Sequence, residues 1–359
     1  MIRVMVVDDS AFMRRLISDM IDGSGEAEVV VKARDGRDAL EKLDRYCPDI
    51  ITMDVEMPEM DGLSALKVIG EKSDVPVLIL SSHSREGSKV TLDALSLGAV
   101  DFIEKTRFGD SAGLEKLKED LIYKIVHIAG DRRNRSCPAP EALPVRKTPA
   151  QRKPAPVPEP AAAASPASSG RPRPERFAAL VIGTSTGGPK TLLTLFKGLD
   201  RKPSIPVLVV QHMPREFTRS LADRLDQNCP ARVVEATDGQ KVEPGTIYIA
   251  PGDYHMAVER GRIILSQEEK IHGVRPAADI LFSSAAREYG PSLGALILTG
   301  MGSDGTTGLG DIRRAGGYTV AQDRETSVIY GMPGSAVAAG VIDEELPLEG
   351  IIRFMNTVI

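Results

Sequence analysis

Residues 1–22 read MIRVMVVDDSAFMRRLISDMID, and this stretch indicates the fold of the first part of the chain. Residues 2–7 form an apolar, β-branched run typical of a buried strand, and apolar residues recur at helical spacing over 13–21. Asp8 and Asp9 separate the two segments. The start of the chain therefore predicts a strand that ends in two carboxylates and leads into an amphipathic helix.

Four further strand-like segments follow and alternate with amphipathic helical stretches, at residues 27–33, 50–53, 77–81 and 100–103. Five strands that alternate with helices predict a parallel, doubly wound sheet, an α/β fold of the flavodoxin-like kind. Ligands of such sheets bind at the carboxyl ends of the strands. Polar side chains at those ends are therefore the first candidates for a functional site.

The 359 residues favour two domains, and the prolines show where they join. Eleven of the 25 prolines lie within residues 131–176, a segment with almost no large apolar side chain. Such a segment cannot bury enough surface to offset the entropy lost on ordering. We predict a first domain at residues 1–127, a Pro/Ala-rich linker at 128–176 and a second domain at 177–359.

Charge and composition exclude several classes of protein. Formal charge is −8 over residues 1–130, +6 over 131–176 and −3 over 177–359, so neither predicted domain has the basic surplus of a nucleic-acid-binding domain. No apolar run approaches the roughly 18 residues of a membrane helix. The two acids after residue 7 interrupt any signal-peptide segment, and three cysteines without metal-ligand spacing fit a reducing compartment. We expect a cytoplasmic protein that is not membrane-embedded and binds no nucleic acid.

Acidic and polar residues are concentrated at the predicted strand ends. Asp8 and Asp9 end the first strand, Asp54 the third, Ser81 the fourth and Lys105 the fifth. Three converging carboxylates would repel one another without a cation, and hard oxygen ligands suit Mg²⁺. Helix caps also use Asp-Asp pairs, so the dipeptide alone leaves that alternative open. The whole constellation predicts a metal site.

The first domain resembles a response-regulator receiver domain. The resemblance rests on VVDDS at residues 6–10, on DVEMPEMDG at 54–62, and on Ser81 and Lys105. It implies that Asp54 accepts a phosphoryl group from a histidine kinase, as in two-component signalling. It also implies that Lys105 pairs with the phosphoryl oxygens and that the Ser81 hydroxyl bonds to them.

The same resemblance implies a Mg²⁺ site. Asp9, Asp54 and the carbonyl oxygen of Glu56 would hold the ion, with Asp8 acting through water. In receivers the lysine that corresponds to Lys105 is commonly followed by a proline, often with a cis bond, whereas Thr106 follows it here. A cis bond to a non-proline residue costs about 2.5–4 kcal/mol, which leaves the geometry of this bond open.

The second domain begins with a strand-like run at 177–182, followed by GTSTGGP at 183–189 and a helical stretch at 190–199. This order places Ser185 between the end of a strand and the start of a helix. The free backbone N–H groups and the positive end of the helix dipole suit an oxyanion there. The segment therefore contains a candidate nucleophile.

Three other interpretations of this segment stay open on the residues alone. A phosphate-binding loop nearly fits, but Pro189 displaces the lysine by one position and removes a backbone donor. The pattern at 183–187 matches the G-x-S-x-G elbow of the α/β-hydrolases, yet no histidine follows His272 as that chain order requires. Gly, Ser and Thr are also ordinary residues of a strand-to-helix turn.

A general base and an acid can be found at two other predicted strand ends. His212 follows a strand-like run at 205–210, and Asp304 follows another at 295–298. Ser185 could attack an acyl carbon while His212 takes the proton and Asp304 orients the imidazole. We expect His255 to be a turn or substrate-facing residue before a hairpin of strands 247–250 and 262–265, and His272 to lie in a solvated loop or contact substrate.

With these motifs the chain resembles the chemotaxis response-regulator protein-glutamate methylesterase/protein-glutamine glutaminase (CheB) family. The resemblance rests on GTSTGGP at 183–189, QHMP at 211–214, APGDYH at 250–255 and TGMGSDG at 299–305. It implies a doubly wound α/β methylesterase domain with a mostly parallel sheet.

That resemblance also implies a function. Glutamate γ-methyl esters on chemoreceptors would be hydrolysed, and certain glutamines deamidated, through Ser185, His212 and Asp304. Met301 and the region of Thr186 would contact the oxyanion. No cofactor is expected in this domain. The unphosphorylated receiver is expected to cover the active site and phosphorylation of Asp54 to reposition it.

Two other function classes compete with the phosphorylation-controlled hydrolase. The first is a non-enzymatic response regulator whose second domain binds a partner, with Ser185 a turn residue. The second is a transcription factor, which the −3 charge of residues 177–359 and the lack of a helix-turn-helix pattern disfavour.

Overall fold

The computed structural model describes residues 1–81, 85–105, 111–133 and 171–359. Most of the predicted linker, together with Cys137 and the bond between Lys105 and Thr106, lies outside the described residues. Two parallel sheets with helices on both faces form the described part, which confirms the predicted α/β fold class. No helix in the described ranges has the length and apolar character to cross a bilayer.

The first sheet has five parallel strands in the order β2-β1-β3-β4-β5. The strands are β1 (Ile2–Val7), β2 (Ala27–Ala33), β3 (Ile50–Asp54), β4 (Val77–Ser81) and β5 (Asp101–Glu104). The helices are α1 (Ala11–Asp22), α2 (Gly36–Tyr46), α3 (Gly62–Lys72), α4 (Arg85–Leu97) and α5 (Ser111–Arg133). Helices α1 and α5 pack on one face of the sheet, and α2, α3 and α4 on the other.

The sequence determines where the first helix begins. The hydroxyl of Ser10 accepts a hydrogen bond from the N–H of Met13 at 3.3 Å and so caps α1, while the Asp8 carboxylate accepts from the N–H of Ser10 at 2.9 Å. Serine is among the favoured residues for capping a helix. The chain therefore leaves β1 with Asp8 fixed against the sheet edge rather than used as the helix cap.

The second sheet has seven parallel strands in the order β14-β13-β12-β6-β7-β9-β8. The strands are β6 (Ala179–Thr184), β7 (Val207–Gln211), β8 (Arg232–Glu235), β9 (Thr246–Ile249), β12 (Leu293–Ile297), β13 (Tyr318–Gln322) and β14 (Glu344–Leu346). Strand β6 pairs with β7 on one side and with β12 on the other. The connections run in opposite directions from β6, and its carboxyl end is therefore a topological switch point, where ligands of α/β sheets bind.

Helices cover both faces of the second sheet. Helices α6 (Gly188–Lys197), α7 (Arg215–Asp226) and α11 (Leu348–Val358) pack on one face. Helices α8 (Ala278–Tyr289), α9 (Thr306–Arg314) and α10 (Met332–Ala338) pack on the other, together with an antiparallel hairpin. The hairpin consists of β10 (His255–Glu259) and β11 (Arg262–Ser266).

The predicted pairing of this hairpin is wrong. Residues 246–249 form β9, a buried strand of the main sheet between β7 and β8, and the partner of β11 is β10. A short apolar run is compatible with either a hairpin strand or a central strand. All four residues of β9 are buried, as expected of a central strand. His255 is also not a turn residue: it is 1% exposed, its Nε2 lies 3.0 Å from the carbonyl of Glu269 and its Nδ1 accepts from the N–H of Ala277.

The two halves of the described chain pack against each other. Helix α4 of the first half lies against α6 and α7 of the second. The ring of Phe102 stacks on that of Phe217 with centroids 4.4 Å apart, and Arg224 pairs with Asp93. The side chains of Met301 and Ile329 are buried within the same apolar cluster as α1 and α5. The first half thus covers part of the second.

Candidate functional site

Two carboxylates and a lysine meet at the carboxyl edge of the first sheet. The Lys105 ammonium lies 2.6 Å from Oδ2 of Asp54 and 2.9 Å from Oδ2 of Asp8. Asp8 is fully buried and Asp54 is 8% exposed. Burial acts to lower the pKa of Lys105, but the two carboxylates outweigh it and raise that pKa. The lysine therefore stays charged beside the predicted phosphoacceptor.

The acidic cluster offers oxygen ligands for a divalent cation. Carboxylate oxygens of Asp8, Asp9 and Asp54 all lie within 4.8 Å of one another. A neighbouring cavity of about 250 Å³ is lined by Asp9, Asp54, Glu56 and Lys105, among others. Mg²⁺ prefers such hard oxygen donors with open positions for water. The residues present therefore fit the ion that a receiver domain binds.

The predicted phosphoryl-sensing serine lies within the same cavity lining. Ser81 is 2% exposed, and its hydroxyl is 2.5 Å from the hydroxyl of Thr91 on α4. Thr91 was not predicted from the sequence, because nothing about a threonine within a helix marks it as a partner of a strand end 10 residues away. Its contact connects the edge of the sheet to the helix that packs on the second half.

In the second half, the members of the predicted triad come after three neighbouring strands. Ser185 follows β6, His212 follows β7 and Asp304 lies in the loop after β12. Because β12, β6 and β7 are adjacent and parallel, their carboxyl ends meet at the switch point. The structure thus places all three residues at one edge of the second sheet.

His212 and Asp304 form a close pair. The Nε2 atom of His212 lies 2.7 Å from Oδ2 of Asp304, and the side chains are 10% and 3% exposed. Burial acts to raise the pKa of Asp304, but the hydrogen bond and charge of His212, with two backbone N–H groups, outweigh it and hold the pKa below its ordinary value. An ionised acceptor fixes the proton on Nε2 and leaves Nδ1 as the basic nitrogen.

Ser185 is oriented through its backbone. Its N–H donates to the carbonyl of Thr299 at 3.0 Å, and its own carbonyl accepts from the side-chain amide of Gln211 at 2.9 Å. The same Gln211 nitrogen lies 3.1 Å from the carbonyl of His212. Gln211 was quoted only as part of a motif in the sequence, and its position at the end of β7 is the signal that could have indicated its role. The Ser185 hydroxyl has no hydrogen bond to His212 within the described ranges, and such bonds often tighten only when substrate binds.

Two backbone N–H groups close to Ser185 in the chain or in space are candidates to bind an oxyanion. Neither Thr186 nor Met301 donates its N–H to an acceptor in the part of the chain that the structure describes. Gly300, directly before Met301, lies so close to Ser185 that a Cβ there would be 2.8 Å from Cβ of Ser185 and 3.0 Å from its nitrogen. Only glycine permits this approach. Free donors beside a candidate nucleophile fit the predicted oxyanion contacts of Thr186 and Met301.

The first half covers this site. Oδ2 of Asp101, at the start of β5, accepts a hydrogen bond from the hydroxyl of Thr186 at 2.6 Å and from Lys124 at 2.7 Å. A cavity of about 640 Å³ lies between the halves and is lined by β5, parts of α5, His212 and residues 213–215 and 270, 273–275. Sequence reasoning missed Asp101, because no local pattern indicates a contact between residues 85 positions apart in different domains.

Both halves of the chain match known protein families. A family model described as CheB methylesterase matches residues 180–355, and one described as response regulator receiver domain matches residues 4–117. A protein-glutamate methylesterase/protein-glutamine glutaminase of Pyrococcus abyssi is 42% identical over 98% of this chain and 91% of its own length. One of Thermotoga maritima is 41% identical over 96% of this chain and 95% of its own.

A solved structure is also similar. The crystal structure of the Thermotoga maritima CheB methylesterase catalytic domain is 43% identical and covers 50% of this chain and 97% of its own, with a TM-score of 0.48.

Proposed function

The chain belongs to the protein-glutamate methylesterase/protein-glutamine glutaminase family, and we propose from this premise that Ser185, His212 and Asp304 are its catalytic triad. The protein is a phosphorylation-controlled hydrolase of glutamate γ-methyl esters. The observation that carries the triad is the 2.7 Å pair of His212 and Asp304, with Ser185 at the carboxyl end of the neighbouring strand β6.

The first half-reaction is acyl transfer to the serine. Oγ of Ser185 attacks the ester carbonyl carbon while Nδ1 of His212 takes the hydroxyl proton. The N–H groups of Thr186 and Met301 would donate to the oxyanion of the tetrahedral intermediate. When that intermediate collapses, the carbon–oxygen bond to the methoxy group breaks and the imidazolium returns the proton, so that methanol leaves.

The second half-reaction releases the product. Nδ1 of His212 takes a proton from water, the resulting hydroxide attacks the acyl-serine, and Ser185 recovers its proton as the carboxylic acid departs and ionises. Throughout, the negative charge of Asp304 stabilises the imidazolium. Deamidation of a glutamine follows the same steps, with ammonia as the leaving group in place of methanol.

The receiver controls access to this site. A histidine kinase would donate the phosphoryl group to Asp54, and chemoreceptors that carry methylated glutamates would be the substrates. Bound Mg²⁺ would supply a positive charge that offsets the charge of the transferring phosphoryl group. Asp9, Asp54 and the Glu56 carbonyl would hold the ion, with Asp8 acting through water. Lys105 would pair with the phosphoryl oxygens, and Ser81 would exchange its contact with Thr91 for them.

The proposal also covers the domain bounds, the absence of a cofactor from the catalytic domain and the location of the protein. The receiver would comprise residues 1–127, the linker 128–176 and the catalytic domain 177–359, and the latter would work without a cofactor. A location in the cytoplasm suits a protein that meets a kinase and the methylated segments of receptors. The main test is methanol release from a methylated receptor fragment, measured with and without a phosphodonor.

Changing Asp54 to asparagine is expected to abolish phosphorylation of the receiver. Asparagine keeps the shape of the side chain but is not a carboxylate nucleophile. Incubation with radiolabelled phosphodonor and Mg²⁺ should label the wild type and leave Asp54→Asn without label. A matched control is Asp61→Asn, since Asp61 caps α3 through its bond to the N–H of Ser64 and is not part of the acidic cluster. Label of normal strength on Asp54→Asn would mean that another acid is the acceptor.

Removal of Mg²⁺ is expected to stop the same labelling reaction and to leave unstimulated ester hydrolysis unchanged. The three carboxylates of the acidic cluster and the phosphodonor would then have only Lys105 to offset their negative charge. After chelation, adding Mg²⁺ back in steps should restore the label up to a saturating level. Equal labelling in chelator and in Mg²⁺ would contradict the metal assignment.

A further inference from the structure

Helices α8 and α9 cap each other through two buried carboxylates. Asp304, which lies just before α9, accepts hydrogen bonds from the N–H groups of Ala278 at 2.6 Å and of Asp279 at 3.1 Å, at the start of α8. Asp279 in turn accepts at Oδ1 from the N–H of Gly308 at 2.8 Å, in the first turn of α9. The first N–H groups of a helix have no partner within it. Each helix therefore supplies the carboxylate that satisfies the other.

The two helices meet closely at this point. A Cβ at position 308 would be 2.5 Å from Cβ of Phe282, so glycine is needed for the Gly308 N–H to reach Asp279. A second connection between the helices lies farther along, where the Ser283 hydroxyl donates to Asp311 at 2.6 Å. That connection does not involve Asp304. The helix pair thus has one tether that reaches the catalytic acid and one that does not.

Burial makes the charge on Asp279 costly, and its contacts offset only part of that cost. Asp279 is 7% exposed, and one of its oxygens lies within 4.8 Å of an oxygen of Asp304. Burial, and then the Asp304 charge, raise the pKa of Asp279 despite the Gly308 N–H and His272, whose Nε2 lies 3.3 Å from Oδ2. A buried carboxylate is destabilising unless it is hydrogen-bonded. The hydrogen bond from the Gly308 N–H is therefore the contact that stabilises the buried Asp279 carboxylate at this position.

We propose, on the basis of the function proposed above, that Asp279 is a positioning residue for the hydrolase, because its bond to Gly308 N–H sets the start of α9 and thereby the orientation of Asp304 toward His212. Asp279 does not touch the reacting atoms. It acts through the loop that carries Asp304. Misplacement of a catalytic group by about 1 Å can cost roughly 100-fold in rate.

The test compares variants of the full-length protein in methanol release, with kcat and KM determined separately. Asp279→Ala removes the acceptor, and we expect kcat to fall at least about tenfold with KM within about twofold of the wild type. Asp279→Asn keeps an oxygen at the Oδ1 position that can accept from Gly308, and we expect it to retain most of the wild-type kcat. Asp279→Leu also removes the acceptor but occupies the volume of the aspartate side chain. If the alanine variant does not fold, kcat is measured on this leucine variant instead.

Ser283→Ala is the matched control, since it breaks the other tether of α8 and α9. Its kcat should equal that of the wild type even if its melting temperature falls. A folded alanine or leucine variant with wild-type kcat, or an equal loss in Ser283→Ala, would overturn the positioning role. A wild type that releases no methanol, or a Ser185→Ala variant with wild-type turnover, would instead overturn the proposed function and the inference with it.

Discussion

Replacing Ser185 with alanine should reduce methanol release from a methylated receptor fragment by about 10⁴- to 10⁶-fold, the loss typical of removing a triad serine. Alanine leaves no nucleophile, while the remaining oxyanion donors and substrate contacts support only residual catalysis. The variant should fold normally, because the Ser185 N–H and carbonyl keep their bonds to Thr299 and Gln211. The measurement is turnover per folded protein, with the melting temperature as a check.

Ser303→Ala provides the control for this experiment. Ser303 is an exposed serine directly before Asp304 and makes no side-chain hydrogen bond among the described residues. Its loss should leave turnover unchanged. Normal turnover by Ser185→Ala would support the competing interpretation, in which the second domain binds a partner and the serine belongs to a turn.

Deleting residues 1–170 should raise ester hydrolysis in the absence of phosphodonor by about tenfold or more. The receiver holds Thr186 through Asp101 and buries the side chain of Met301, so the free donors beside Ser185 are covered. If the covered arrangement accounts for at least about 90% of the molecules, its removal increases the competent population about tenfold. The fragment should also lose its response to a phosphodonor.

A charge exchange across the interface controls for effects of truncation. Arg224→Asp places an acid opposite Asp93 and should increase unstimulated activity, whereas adding Asp93→Arg should restore the pair and lower that activity again. A folded deletion fragment no more active than the intact, unphosphorylated protein would show that the receiver does not inhibit by covering the site.

Local sequence signals were sufficient for the strand ends and for the fold class. Ser185, His212 and Asp304 each follow a short apolar run, and such runs are recognisable without knowledge of their neighbours in the sheet. That the three strands are adjacent is a property of the sheet order, which no local pattern contains. The three residues were predicted from their chemical roles, and their catalytic assignment stays a prediction.

Long-range contacts were beyond the reach of the sequence. The bond between Thr186 and Asp101 joins two domains, and the Gln211 amide and the Asp279 carboxylate act on neighbours fixed only by packing. The wrong hairpin has the same origin, since residues 246–249 read equally well as a hairpin strand or as a central one. Burial between β7 and β8 removed that ambiguity only in the folded chain.

Strand β5 sets the distance over which phosphorylation has to act. Asp101 at its first position bonds to Thr186, the residue after Ser185, and Lys105 directly follows its last residue and bonds to Asp54. At about 3.3 Å per residue, the four residues of this strand span only about 13 Å. A rigid movement of this one short strand would therefore link phosphorylation at Asp54 to ester hydrolysis at Ser185. No long chain of intermediate side chains is required between the two sites.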